Sequence, residues 1–254
     1  MPDFYDPKFL LCENIPITFD GWDSLDFCSG ESAYPTKLKL KLDIASDETF
    51  DDTVSDNISQ ILNASFKQNA SPDFCLGSVT ELTLSNFRKG FTNALAEGTN
   101  LKKIVLTGTH MQSLPCDLFE NSQVAEFHVK SSNIANLNKC VFRNSPVDFS
   151  GFSLDQSDCE RITDDTFEYV PNLEVLSMSQ NNIYEVDMKI LKKVPALKVL
   201  DLSNNGITNL SPTFFRHNPE LGKLIMNDNN LAELPCGLFQ QNIKLKTLEK
   251  NKKL

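Results

Sequence analysis

The side chains of this 254-residue chain that could do chemistry are three histidines, seven cysteines and a short run of carboxylates. Acid–base or nucleophilic catalysis needs titratable groups that converge in a concave pocket. His110, His128 and His217 stand far apart, and no P-loop, G-x-S-x-G or G-x-G-x-x-G segment accompanies them. No two cysteines stand as C-x-x-C, the spacing used by many zinc and thioredoxin-type redox sites. Asp47, Glu48, Asp51 and Asp52 could offer oxygens to calcium, but their spacing is not that of an EF-hand loop and they read as a solvated loop. The chain is therefore expected to be no enzyme and to use no cofactor and no metal. What remains is recognition, and that depends on the elements that display the side chains.

Four segments near the C-terminal end carry one pattern at one spacing, opening at Leu173, Leu197, Leu221 and Leu245. Three read in full as L-x-x-L-x-L-x-x-N-x-[IL]: Leu173-Leu176-Met178-Asn181-Ile183, Leu197-Leu200-Leu202-Asn205-Ile207 and Leu221-Leu224-Met226-Asn229-Leu231. A repeat of this period and content is a leucine-rich repeat. Its L-x-L core is a short strand with alternating inward and outward residues, and strands of successive repeats stack in parallel. The Asn sits where the chain leaves the strand, where its amide can satisfy otherwise unpaired backbone groups.

Looser repeats precede these. Leu101-Ile104-Leu106-Met111-Leu114-Phe119 has Thr109 in place of Asn, and Val124-Phe127-Val129-Ile134-Leu137-Phe142 has Ser132. Val79-Leu82-Leu84 opens a weak first repeat, and the stretch from Val147 to Thr166 is irregular but returns to phase at Ile162 and Phe167. Phe119, Phe142, Phe167, Phe215 and Phe239 predict an aromatic spine at the back, with Leu191 substituting once. The fold class is thus an α/β repeat, a solenoid of seven repeats and a truncated eighth over 79–254, about 35–40 Å long at ~5 Å per strand. Asn251-Lys252-Lys253-Leu254 ends inside a repeat, which reads as an incomplete chain.

Outward strand residues of such a solenoid form a concave sheet, its usual binding surface. The pattern assigns to it Lys103, Val105 and Thr107; Glu126, His128 and Lys130; Val175, Ser177 and Ser179; Val199, Asp201 and Ser203; and Lys223, Ile225 and Asn227. The face mixes both charges with a few aliphatics and lacks the aromatics that interface hot spots favour. His128 could make binding respond to pH, although a lone exposed histidine is ordinarily a plain surface residue. His110 and His217 fall on turns and the back.

Residues 1–78 show no such period. They hold Cys12, Cys28 and Cys75, together with Lys37-Leu38-Lys39-Leu40-Lys41-Leu42, which alternates as a strand whose lysines suit an exposed edge. Phe50 to Leu62 reads as a short amphipathic helix. A solenoid needs its first coil covered, and so small a core needs staples, so 1–78 reads as a disulfide-tied cap. Closing Cys12 to Cys28 would add ~3 kcal/mol. Cys116 and Cys140 fall at nearly equal positions in adjacent repeats and are candidates to bridge. The alternative is a cytosolic protein with buried reduced cysteines.

Four sequons, at Asn57, Asn63, Asn69 and Asn209, are candidates for glycosylation. Three of them cluster before the repeats, and Pro212 after Ser211 disfavours Asn209. The net charge of −10 argues against non-specific binding of nucleic acid or anionic membrane. No apolar run approaches the ~20 residues that span a bilayer, and the first residues lack the pattern of a signal peptide. An extracellular module would take both from parts of the protein outside this chain.

The repeat tails Leu114-Pro115-Cys116-Asp117-Leu118-Phe119 and Leu234-Pro235-Cys236-Gly237-Leu238-Phe239 resemble the L-P-x-x-L-F tails of arthropod Toll receptor ectodomains. Leu200-Asp201-Leu202-Ser203-Asn204-Asn205 is the L-D-L-S-x-N of the wider class, and a long cysteine-bearing cap with an alternating strand is also Toll-like. The resemblance implies the N-terminal part of an innate-immunity or developmental receptor, at the cell surface. It implies a Spätzle-type cystine-knot cytokine gripped near the N-terminal concave region, and ligand-driven receptor dimerisation. The other readings of the repeats are a secreted soluble protein of immunity or adhesion and an intracellular scaffold or regulator.

Overall fold

The structure is a computed structural model, and it describes residues 10–16, 38–43, 79–85, 101–109, 113–159, 161–184 and 188–250. Ten strands lie side by side in one parallel sheet, in chain order. They are β1 (Leu10–Pro16), β2 (Leu38–Asp43), β3 (Val79–Ser85), β4 (Lys103–Thr107), β5 (Glu126–Lys130), β7 (Gly151–Asp155), β9 (Val175–Ser177), β10 (Val199–Asp201), β11 (Lys223–Ile225) and β12 (Thr247–Glu249). Two further short strands, β6 (Asn136–Leu137) and β8 (Arg161–Ile162), pair with each other in parallel elsewhere on the coil. Among the described residues there is one short α-helix, α1 (Met188–Lys192), between β9 and β10. No described helix is long and apolar enough to cross a membrane.

Alternation explains the strands. Ile104 and Leu106, Phe127 and Val129, Leu176 and Met178, Leu200 and Leu202, and Leu224 and Met226 point inward and are at most 4% exposed. Each of these side chains contributes about 1.5–3 kcal/mol by leaving water. Behind them runs the aromatic spine. Phe119 stacks on Phe142 with ring centroids 6.3 Å apart, Phe142 meets Phe167 at 5.6 Å, and Phe215 stacks on Phe239 at 5.7 Å. Buried Leu191 takes the one position without a ring.

The turn after each strand is closed by an amide ladder. Asn205 Oδ1 accepts from Ile183 N at 3.1 Å, while its Nδ2 donates to the carbonyls of Met178, Leu202 and Ser203. Asn229 repeats this toward Ile207, and Asn181 toward Ser157 and Cys159. Upstream, hydroxyls do the work: Thr109 Oγ1 donates to Ser132 Oγ at 2.7 Å, and Ser132 Oγ donates to the carbonyl of Lys130. A residue one to three positions past the strand adopts a left-handed backbone in repeat after repeat, at Gly108, Ser131, Gln156, Gln180, Asn204 and Asp228. Gly, Asn and Asp tolerate that conformation best.

Two sequence expectations are corrected. The alternating lysine strand is not an edge, because β2 pairs with β1 on one side and β3 on the other. Its outer neighbour, Leu10–Pro16, carries no period that marks it as a strand. The 147–166 stretch is not irregular either: it is a full repeat opening at Phe149, followed by Phe152, Leu154, Ser157 and Cys159, all nearly or fully buried. Val147, the expected start, is 82% exposed. Phenylalanine, serine and cysteine stand where leucine, asparagine and isoleucine mark the other repeats, which hid the register.

Cys116 and Cys140 form a disulfide with Cα atoms 4.7 Å apart. Cys140 lies on a single 3-10 turn, Lys139–Phe142, capped by Asn138, whose Oδ1 accepts from Cys140 N at 3.0 Å. Cys28 and Cys75, the expected helix within Phe50–Leu62, and the carboxylates Asp47 to Asp52 lie outside the described residues, as does the side chain of Cys12.

Candidate protein-binding face

Strand register sets the outward side chains in three rows across the sheet. One row runs Glu81, Lys103, Glu126, Gly151, Val175, Val199, Lys223, Thr247. The next runs Thr83, Val105, His128, Ser153, Ser177, Asp201, Ile225, Glu249. A third begins Ser85, Thr107, Lys130, Asp155, and Ser179, Ser203 and Asn227 follow two residues beyond Ser177, Asp201 and Ile225. The residues read from the pattern thus share one continuous face. Ser203 contributes least, being 6% exposed, and Val175 stands proud at 40%.

The sequence reading missed Gly151, Ser153 and Asp155, which are the middle of the face. The available signal was the spacing Phe149-x-x-Phe152-x-Leu154, which keeps the L-x-x-L-x-L period with aromatic residues. Asp155 organises this middle. Its Oδ1 accepts from Ser177 Oγ at 2.6 Å, and from Ser179 N and Ser179 Oγ at 2.9 Å each. Asp201 Oδ1 likewise accepts from Ser203 N at 2.9 Å. Small side chains make the floor low there. A Cβ at Gly151 would come 3.0 Å from Cγ of Glu126.

The most charged part lies over β4 and β5. Lys103 Nζ reaches Glu126 Oε2 at 2.6 Å, and His128 Nε2 reaches the same oxygen at 3.3 Å. His128 Nδ1 lies 3.0 Å from Ser153 Oγ. The Lys103 ammonium beside Glu126 holds its carboxyl below the usual range, and burial pushes the His128 ring down. His128 is therefore not the plain exposed residue its outward position suggested; its side chain is 19% exposed. Further along, Lys223 pairs with Glu249 at 3.4 Å.

Glu126, His128 and Ser153 form an acid–imidazole–hydroxyl chain, which invites comparison with a catalytic triad. The geometry argues otherwise. Ser153 is 4% exposed, and it lies on an open sheet whose strand N–H groups are spent on neighbouring strands rather than aimed at an oxyanion. The chain orients side chains on a surface. No three histidine, cysteine or carboxylate side chains gather in metal-binding geometry among the described residues.

Of the sequons, Asn57, Asn63 and Asn69 lie outside the described residues. Asn209 is exposed beyond β10, with its Nδ2 3.3 Å from Thr208 Oγ1. His217 is exposed at the back, and His110 lies outside the described residues.

The leucine rich repeat family model matches residues 152–205, 171–231 and 195–249, and the model of the BspA type leucine rich repeat region matches 51–148. No curated protein matches the sequence. Solved structures similar in fold include the TLR13–ssRNA13 complex, with TM-score 0.65 and 19% identity over 84% of this chain. Two structures of the Toll–Spatzle complex, from Drosophila, also match: one with TM-score 0.65 and 16% identity over 96% of the chain, and a glycosylated form with 0.64 and 18% over 86%. The chain spans 29%, 30% and 34% of these three in turn. At such identities the likeness is one of fold, the solenoid of Toll-type ectodomains. Matched from residue 51 to 148 and again from 152 to 249, the chain belongs to the leucine-rich repeat family.

Proposed function

We propose that this chain is the N-terminal, ligand-binding part of a Toll-type receptor ectodomain in innate immunity or development. Its ligand is an extracellular protein, a dimeric cystine-knot cytokine of the Spätzle type. The observation that carries the reading is the fold shared with the Toll–Spatzle complex over 96% of this chain, joined to a continuous concave face that no part of the chain covers among the described residues. Contacts come from Lys103, Val105, Thr107, Glu126, His128, Lys130, Val175, Ser177, Ser179, Asp201, Ser203, Lys223, Ile225 and Asn227. Gly151, Ser153 and Asp155 belong with them.

The Cys116–Cys140 bond fits an oxidising, extracellular setting. In that setting Asn57, Asn63, Asn69 and Asn209 are open to glycosylation, and residues 1–78 act as a cap tied through Cys12, Cys28 and Cys75. Binding of a dimeric ligand would bring two such receptors together. One fold neighbour is a complex with single-stranded RNA. A protein ligand is favoured here because the chain carries a net charge of −10, the wrong sign for a phosphate backbone.

The test is affinity for such a cytokine, measured on protein secreted from eukaryotic cells, for the native chain and for K130E, D201K and K223E combined. Exposed charges contribute about 0.2–1 kcal/mol each, so the triple variant is expected to bind roughly tenfold more weakly. Unchanged affinity moves the site to the cap or a flank. A chain that fails to be secreted, or that carries reduced cysteines, points to the intracellular scaffold instead.

A further inference from the structure

We propose that His128, held between Glu126 and Ser153, is a proton-operated switch on the concave face. The inference rests on the reading of that face as the binding surface. Because a carboxylate only accepts, Nε2 must carry the hydrogen that bonds Glu126 Oε2, and the neutral ring's Nδ1 must accept from the Ser153 hydroxyl. One proton from solvent reverses the second bond. Nδ1–H then donates to Ser153 Oγ, and the serine hydrogen is released for an acceptor brought by a partner.

The charges around the ring decide what this does. Strand β4 contributes Lys103, β5 itself contributes Glu126 and Lys130, and β7 contributes Asp155; the other outward residues of β4 and β7, namely Val105, Thr107, Gly151 and Ser153, carry none. Two lysines and two carboxylates balance, so the neutral ring leaves the patch without net charge and the protonated ring leaves it at plus one. Glu126 is already shared with Lys103 at 2.6 Å and does not cancel the new charge. The ring is buried from most solvent, so the charge persists locally rather than being screened. The partner class this selects is a protein segment that places a carboxylate over β5 and β7, held more tightly in acid than at neutral pH. A carboxylate within ~4–6 Å moves a histidine by about one pKa unit. By linkage that is about a tenfold gain in affinity once the ring is charged.

Two measurements test this. Nuclear magnetic resonance titration of the free protein follows the three histidine rings, with His128→Gln assigning the signal. The switch requires a neutral ring protonated on Nε2 at pH 7.5, a midpoint below the ordinary histidine value because burial opposes the charge, and a still lower midpoint in Glu126→Gln. A midpoint at or above the ordinary value, or one indifferent to Glu126→Gln, overturns it. The second measurement is affinity for the cystine-knot cytokine between pH 7.5 and 5.5. A gain of about two- to fivefold by pH 5.5, short of the tenfold limit because the free ring's midpoint lies below the ordinary value, supports the switch if His128→Gln abolishes it, and a pH response that survives His128→Gln overturns it. If no cytokine binds at any pH, the functional reading fails while the titration still decides the switch.

Discussion

Replacing Asn205 separates the two jobs of the amide ladder. The side chain is 8% exposed. Its Oδ1 is the acceptor for Ile183 N, and its Nδ2 serves three carbonyls. Those carbonyls have other donors: Asn181 also serves Met178, Asn229 serves Leu202, and Gln180 N serves Ser203. Asn205→Ala therefore orphans mainly one buried N–H, which costs about 1–3 kcal/mol, and the expected loss is about 2 kcal/mol. Asn205→Asp keeps the acceptor for Ile183 but turns a carboxylate onto three carbonyl oxygens. An uncompensated buried charge costs about 3–5 kcal/mol, so Asp is expected to be worse than Ala by about 2 kcal/mol at pH 7.5.

The folded state raises the pKa of the new carboxyl above its unfolded value of about 3.9. The penalty is full above the folded value and shrinks as pH falls toward the unfolded one. Protonation also restores a donor for one carbonyl. Urea denaturation followed by circular dichroism at pH 7.5 and 5.0 reads both effects. Asp no worse than Ala at pH 7.5, or a gap that does not narrow at pH 5.0, refutes the ladder as described.

Further expectations concern the first half of the solenoid. Removing the disulfide by C116S with C140S should cost about 3 kcal/mol, since the bridged positions are 24 residues apart and a loop of that size constrains the unfolded chain by about that amount; chemical denaturation under non-reducing conditions reads it, and an unchanged midpoint contradicts it. Phe152→Ala should cost about 3–5 kcal/mol, because the ring is fully buried against Phe127, Phe142 and Phe167 at 5.1–6.2 Å. A loss under 1 kcal/mol would mean that 147–166 is the degenerate stretch its sequence suggests rather than a packed repeat.

Leucine spacing made the solenoid legible, because a strand that buries every second residue on a fixed turn leaves a period that few other folds leave. The same logic made the outward face legible: once Leu176 and Met178 point inward, Val175, Ser177 and Ser179 must point outward. Where the period was carried by other residue types, the reading failed. Phe149 and Phe152 fill the interior as leucines do elsewhere, and Ser157 occupies the turn position of the ladder, its N–H donating to Asn181 Oδ1. Contacts across repeats were out of reach. Nothing in the sequence near His128 says that Ser153, 25 residues on, will meet its ring, or that Gly151 leaves room for Glu126 to lean across. The environment of β2 was misjudged for a similar reason, since its lysines describe the strand and not its neighbours.

The central claim is that the concave sheet is where this chain grips a protein ligand. Hydrogen–deuterium exchange of the secreted chain, alone and with a dimeric cystine-knot cytokine, tests it most directly. Slowed exchange is expected in peptides covering 103–107, 126–130, 151–155 and 175–179, with little change on the back around Phe142, Phe167 and His217. Protection confined to the back or a flank, or none at saturating cytokine, would contradict it.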